Sequence, residues 1–250
     1  MFDLINKSLI LNSNFLLFEN FTNTILNSLY KNLIRESRYF YIIDGLKNTL
    51  IITLFAMLIG LAFGLIFALI RTTYENVKSL KFLNAFCKLY ITVIRGTPVV
   101  LQLMILFFCI FTQRGSNGLF VAILGFGINS TAYIAEIFRS GLLSIDKGQM
   151  EAGRSLGLNY IQTMWYIIIP QAFKVVLPPL CSEFIALIKE TSVAGYVAVH
   201  DLTKSGEIIK SRTYDAWTPM LIVAFIYLSL TTVLSHFVQK LERRLKANER

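Results

Sequence analysis

Apolar residues in this chain are gathered into long runs instead of recurring at the three-to-four-residue spacing of a soluble amphipathic helix, and a run of about 20 is what a helix needs to cross hydrocarbon. Five crossings are predicted, which makes this an all-α membrane protein. The clearest is 46–70, from Leu46 to Ile70, with Lys47 as its only charge. A second, 86–112, draws on an apolar stretch that begins at Phe82 and is interrupted by Arg95 and Pro98. The third, 118–138, is followed by a charged connection, 141–170, that holds no apolar run of crossing length. The fourth, 173–199, is weak by hydropathy because of Lys174, Glu183, Lys189 and Glu190. The fifth, 217–237, is plainly apolar and leads into a basic tail, 241–250.

Residues 1–44 have a different character. Their longest apolar stretch, Ser8 to Phe18, is interrupted by Asn12 and Asn14 and is too short to span. Neither a positive start nor a small-residue cleavage site marks a signal peptide, so the segment is expected to lie at the membrane interface.

Composition agrees with a lipid setting. Hydrophobic residues make up 55% of the 250 and charged residues 16%, against about a quarter charged in soluble domains. The formal charge of +9 sits mostly beside the apolar runs. No aromatic and basic strip suited to stacking bases accompanies it, which argues against a nucleic-acid partner. Because Lys and Arg gather on the cytoplasmic side, Arg71, Lys78, Arg139, Lys147, Arg154, Arg243 and Arg244 place the C-terminus in the cytoplasm; Lys31, Arg35 and Arg38 pull the other way. Cys87, Cys109 and Cys181 are too scattered for a redox pair, and with two histidines a metal site is not expected.

Inside the runs, three patterns stand out. Ala56, Gly60, Gly64 and Ala68 recur every fourth residue, which predicts a ridge where a second helix backbone approaches closely. Pro98, after Gly96 and Thr97, loosens its helix and frees backbone groups, so polar surroundings are expected there. Ionisable side chains at membrane depth usually face a cavity or a partner charge. Asn129, Tyr133 and Glu136 share one helical face, and Glu183 and Glu190 share another. A cavity holding Glu136, Glu183 and Glu190 with Arg95 or Lys189 suits a zwitterion, carboxylates meeting its ammonium and a cation its carboxylate. Internal ion pairing, such as Arg95 with a glutamate, accounts for these residues equally well.

The connection SIDKGQMEAGRSLGLNYIQTMWYIIIPQA has helical periodicity from Gln149 to Leu158, and its glycines and Pro170 divide it into what should be two small surface helices. Its residues Glu151, Ala152, Gly157, Ile167 and Pro170 resemble the EAA signature of ABC importer permease subunits, with Gly153 where the third Ala falls and Ile169 where Leu falls. IRGTPVVLQL (Ile94 to Leu103), NSTAYIAEIFRSG (Asn129 to Gly141) and LPPLCSEFIALIKETS (Leu177 to Ser192) are similar to the polar amino acid branch of that family, the histidine-, glutamine- and arginine-type permeases.

The resemblance implies a type I importer permease fold in the cell membrane, with the EAA loop as a cytoplasmic coupling helix. It further implies a second permease subunit, identical or related, a pair of ATPase subunits that bind the ATP and Mg, and an extracytoplasmic amino-acid-binding protein. Glu151 would be the polar anchor of the coupling helix, Ala152 and Gly153 would permit close approach, Gly157 would allow the turn, and Pro170 ends the signature. The same resemblance makes the region around Arg95, Thr97, Val99, Asn129, Tyr133, Glu183, Glu190 and Thr191 solute-facing. No Gly-rich phosphate loop ending in Gly-Lys-Ser or Gly-Lys-Thr occurs, so the chain is expected to be a translocation subunit and not an ATPase. Two alternatives remain: a gradient-driven amino acid transporter, for which five spans without a repeat are few, and a scaffold that transports nothing.

Overall fold

The computed structural model describes residues 22–112 and 117–247; the stretch Ser8 to Phe18 and the end of the basic tail lie outside the described residues. Among those described, every regular element is a helix. Helix α1 (22–29) runs into a wide π-type turn, Tyr30–Ile34. Then come α2 (Tyr39–Val77), α3 (Lys81–Arg95), α4 (Val99–Ile105), α5 (Gly118–Leu143), α6 (Lys147–Ser155), α7 (Tyr160–Thr163), α8 (Ile169–Glu190), α9 (Leu202–Thr213) and α10 (Trp217–Ala247). A π-type turn, Met164–Ile168, fuses α7 to α8, and a 3-10 stretch, Thr191–Val197, extends α8.

Four of these helices are long and apolar enough to cross a membrane: Tyr39–Glu75, Gly118–Leu143, Tyr160–Val197 and Trp217–Leu245. The bent pair α3 and α4, which turns through 105°, makes a fifth when it is counted as one broken span. Two helices begin earlier than the expected spans. Tyr39 to Asp44, within the segment 1–44, are the first turns of α2. The connection 141–170 holds one small helix, α6, because the second piece is the start of the fourth crossing. Asn159 and Gln162 form a capping box that starts the helix at Tyr160. The helix continues past Pro170, which sits in the first positions of α8, where its missing N–H costs little after the wide turn.

α5 is the axis of the bundle: 61% of its most apolar stretch is buried, against 6% for α10. It packs most closely on α2, and the sequence ridge explains how. Ala56, Gly60, Gly64 and Ala68 are all buried. A Cβ at Gly60 would stand 3.1 Å from the Ser130 Cβ, and one at Gly64 3.0 Å from the Ala135 backbone nitrogen. From the other side, a Cβ at Gly127 would meet Ile59 at 2.9 Å. The glycines thus form hollows that Ile134 fills from α5 and Ile59 fills from α2, and at Gly64 the Ala135 backbone itself comes close, which is how small residues let helices associate when lipid offers no hydrophobic drive. Ile52, Leu103, Phe126 and Leu187, all fully buried, fill the space around this seam.

At one end α9 is pinned against the start of α2. Buried Asp201 caps α9 by accepting from the Thr203 and Lys204 amides at 2.9 and 3.3 Å. Burial nevertheless pushes its carboxyl up to about 6, the amide donors opposing that rise. Thr49 Oγ1 accepts from the Leu202 amide, and Ser205 Oγ donates to the Tyr41 carbonyl.

Replacing Gly64 with Val should overpack the seam and cost about 1–3 kcal/mol, read as a clear drop in the thermal midpoint of the detergent-solubilised protein. Ala62→Val, on the exposed side of the same helix, should leave that midpoint unchanged.

Candidate functional site

Two assemblies of polar residues stand out, one at an end of the bundle and one in its middle. The first is built on α6. Asp146 Oδ1 accepts from the Gly148 amide and starts the helix. The helix stops in a Schellman motif: the Leu158 amide donates to the Gly153 carbonyl at 3.1 Å and the Gly157 amide to the Arg154 carbonyl at 3.0 Å. That motif needs a left-handed residue, and Gly157 supplies it with φ of +83°. The chain then reverses into the Asn159 capping box of α7.

Gly153 has a different reason to be glycine. It is buried where α6 lies on α7, and a Cβ there would stand 2.9 Å from Thr163 Oγ1 and 3.1 Å from Ile167 Cδ1, with Thr163 Cγ2 closer still. Gln171 strengthens the contact by donating to Gln149 Oε1 at 3.2 Å. Glu151 and Ala152 face outward, and among the described residues Glu151 has no ion-pair partner. A depression of about 790 Å³, lined by Glu151, Lys147, Arg154, Met150, Tyr160 and the end of α5, surrounds it. Pro170 is exposed.

The second assembly gathers on the α5 face predicted from the sequence. Its organising feature is the break between α3 and α4 at Gly96, Thr97 and Pro98. Gln102, one turn after Pro98, donates to the Ile94 carbonyl at 2.8 Å and to the Thr97 carbonyl at 3.1 Å, so backbone acceptors freed by the break find partners inside the protein. Its amide oxygen accepts from Asn129 Nδ2 at 3.1 Å, which ties the break to α5. Tyr90 adds a second tie through its hydroxyl, donated to the Ile128 carbonyl at 2.7 Å. The Arg95 guanidinium lies 5.2 Å from the Tyr133 ring centroid. From α8, the Glu183 carboxylate accepts from Ser130 Oγ at 3.4 Å. Arg95 and Glu190 both lie near enough to act on its charge.

The structure thus brings together Arg95, Thr97, Asn129, Tyr133, Glu183 and Glu190, with Val99 as the first residue of α4 beside them. Two expected members have their polar groups engaged by other partners. Glu136 is bound to Arg71 at 2.9 Å and to Arg139, which in turn reaches Glu75 at 3.3 Å, so its carboxylate is taken up in a four-residue network at the α6 end. Thr191 is fully buried, and its hydroxyl donates to the Ile188 carbonyl. Gln102 was not singled out from the sequence. The available signal was an amide side chain one turn beyond a proline in an apolar run.

Comparison with known proteins now has a geometry to bear on. Residues 60–247 match the family model described as binding-protein-dependent transport system inner membrane component. This chain belongs to that family. The permease is 39% identical over 206 residues to the probable amino-acid ABC transporter permease protein YckA of Bacillus subtilis, covering 82% of this chain and 88% of that one. It is 38% identical over 208 residues to the glutamine transport system permease protein GlnP of Escherichia coli, covering 82% and 93%. A crystal structure of an amino acid ABC transporter with histidines superposes with a TM-score of 0.77 at 38% identity, over 84% of this chain and 97% of that chain. The inward-facing MetNI methionine ABC transporter matches with a TM-score of 0.72 at 21% identity, a likeness of fold alone. The permease therefore has the type I ABC importer fold, and family membership favours it over the gradient-driven alternative.

Gly157→Ala should cost about 1 kcal/mol through backbone strain alone, since nothing lies within 4 Å of the added methyl. Hydrogen exchange at the amides of Gly157 and Leu158 should quicken by roughly fivefold, with α5 and α8 unchanged.

Proposed function

We propose that this chain is the translocation subunit of an ATP-driven importer for polar or charged amino acids, with α6 as the coupling helix gripped by a separate ATPase. The observation that carries this proposal is the build of α6. A short helix with an outward Glu151 is capped at both ends and seated closely on α7 through Gly153, which supports its moving together with the fourth crossing. The relatives' names, all amino acid permeases, support the cargo class.

In this scheme the C-terminus and α6 face the cytoplasm, as the Lys and Arg of that end favour. Two ATPase subunits hold the ATP and Mg, a second permease copy or relative completes the pathway, and an extracytoplasmic binding protein delivers the solute. Closure of the ATPase pair pushes α6, and the crossings rock as rigid bodies to give alternating access. The solute's ammonium meets Glu183, with Glu190 behind it, while Arg95 receives its carboxylate; Asn129, Tyr133 and Thr97 complete the wall. Glu136, held by two arginines, contributes to the joint between α2 and α5 and not to the solute.

Glu151→Arg should abolish solute-stimulated ATP hydrolysis in proteoliposomes while leaving the protein inserted; wild-type coupling in that variant would refute the docking role. Glu183→Gln removes a charge-assisted hydrogen bond worth about 1.5–3 kcal/mol. The concentration of binding-protein-delivered amino acid needed for half-maximal uptake should rise roughly 10- to 100-fold. An unchanged value would take Glu183 out of the solute site.

A further inference from the structure

Residues 22–38 precede the matched family region and are tied to the start of the last crossing. Asn32 is fully buried and donates to Asp215 Oδ2 at 2.8 Å, just before α10 begins. The residues before it, Ile25 and Leu29, line one groove of about 650 Å³ with Leu221, Ile222, Phe225 and Leu228 of α10. Helix α1 therefore runs beside the first turns of α10, away from the Asn32–Asp215 tie. Leu26 of α1 is exposed, as are Tyr30 and Ile34 in the π-type turn that follows, while the polar residues of α1, Thr24 and Ser28, join Ile25 and Leu29 in the groove wall.

The dimensions identify an occupant. From Thr218 to Leu228 the groove follows about 15 Å of helix, half the roughly 30 Å hydrocarbon thickness and so the depth of one leaflet. At the mouth the chemistry changes. Arg38 bonds Glu36 at 2.9 Å and donates to the Lys31 carbonyl at 2.7 Å, next to Asn32. Arg35, three residues before Arg38, and Arg212, whose guanidinium lies 4.9 Å from the Tyr41 ring, add positive charge that helps hold the Glu36 carboxyl below its usual range, after Arg38. Arg38 is 5% exposed, and among the described residues its Nε has no partner.

We propose that the groove between α1 and α10 is a phospholipid site, holding one acyl chain along Ile25, Leu29, Leu221, Phe225 and Leu228, with an anionic headgroup phosphate at the Arg35, Arg38 and Arg212 rim. The site rests only on the chain being membrane-spanning and is independent of what it transports. It gives the N-terminal segment a role as a lipid-filled brace on the helix that the rest of the bundle covers least.

Native mass spectrometry of the intact membrane protein tests this. At an energy that strips loosely bound lipid, the wild type should retain one phospholipid per chain, and phosphatidylglycerol should outcompete phosphatidylcholine severalfold. Ala224 is exposed and lines the groove, so Ala224→Phe should fill it without disturbing the core and abolish retention. Arg35→Gln with Arg212→Gln should keep the lipid but bring the headgroup preference close to one. No retained lipid in the wild type, or equal retention in Ala224→Phe, overturns the site; a preference untouched by the double arginine change overturns the headgroup assignment. A second readout avoids groove variants. In Trp165→Phe protein, Trp217 beside Thr218 is the sole tryptophan. Brominated phosphatidylglycerol should quench it at a severalfold lower mole fraction than brominated phosphatidylcholine, and equal quenching contradicts the proposal.

Discussion

The contact on which the rest of this structure depends is the seam between α2 and α5, where Gly60, Gly64 and Gly127 leave hollows that Ile134, Ser130 and Ile59 fill at close range. In lipid this seam has no hydrophobic drive, so its strength comes from close van der Waals packing that a single added methyl disturbs. Its consequence is that α5 is held as a fixed axis, and both polar assemblies are attached to it. Asn129, Ser130 and Tyr133 sit at its middle. The cluster of Arg71, Glu75, Glu136 and Arg139 locks its far end to α2, and the short link Ser144 to Asp146 joins it to α6. Through Gly153 and Gln171, α6 is keyed into the continuous helix Tyr160–Val197, which carries Glu183 and Glu190. A push on α6 thus reaches the helix bearing the carboxylates directly, and the axis through a short link.

A second constraint shapes the middle of the bundle: backbone polar groups at membrane depth must find partners within the protein, since each one left bare costs several kcal/mol. The Gly96–Pro98 break satisfies it through Gln102, and the same side chain reaches Asn129. The proline therefore has a constructive effect. The chain turns through 105° there, and Arg95, the last residue of α3, lies over Tyr133 at the break.

Much of this was legible in the sequence, for identifiable reasons. Hydropathy reports crossings because the lipid requirement is a property of length and composition, and the four-residue spacing of Ala56, Gly60, Gly64 and Ala68 is itself the geometry of a helix seam. Gly157 was readable as a turn because a left-handed position admits few other residues. Periodicity tells which residues share a face but not what a distant helix brings to it. Asn129, Tyr133 and Glu136 do share a face, yet Arg71, 65 residues away, captures Glu136. The helix of the fourth crossing begins at Tyr160, ahead of the apolar run near 173, because a π-type turn absorbs Pro170, and such a turn leaves no mark in hydropathy. Gly153, which weakens helix propensity on paper, is required by the Thr163 side chain that only the folded chain brings beside it.

The central claim is that α6 and the fourth crossing move as one body. It is tested most directly by double electron–electron resonance between spin labels at Ala152 and Ser182, both exposed, in protein with its three native cysteines replaced. Comparing nucleotide-free and ATP-trapped transporter, the account predicts an unchanged Ala152–Ser182 distance within a chain while the Ala152 distance between the two permease copies shortens. A change in the distance within the chain, with the distance between copies constant, would contradict it.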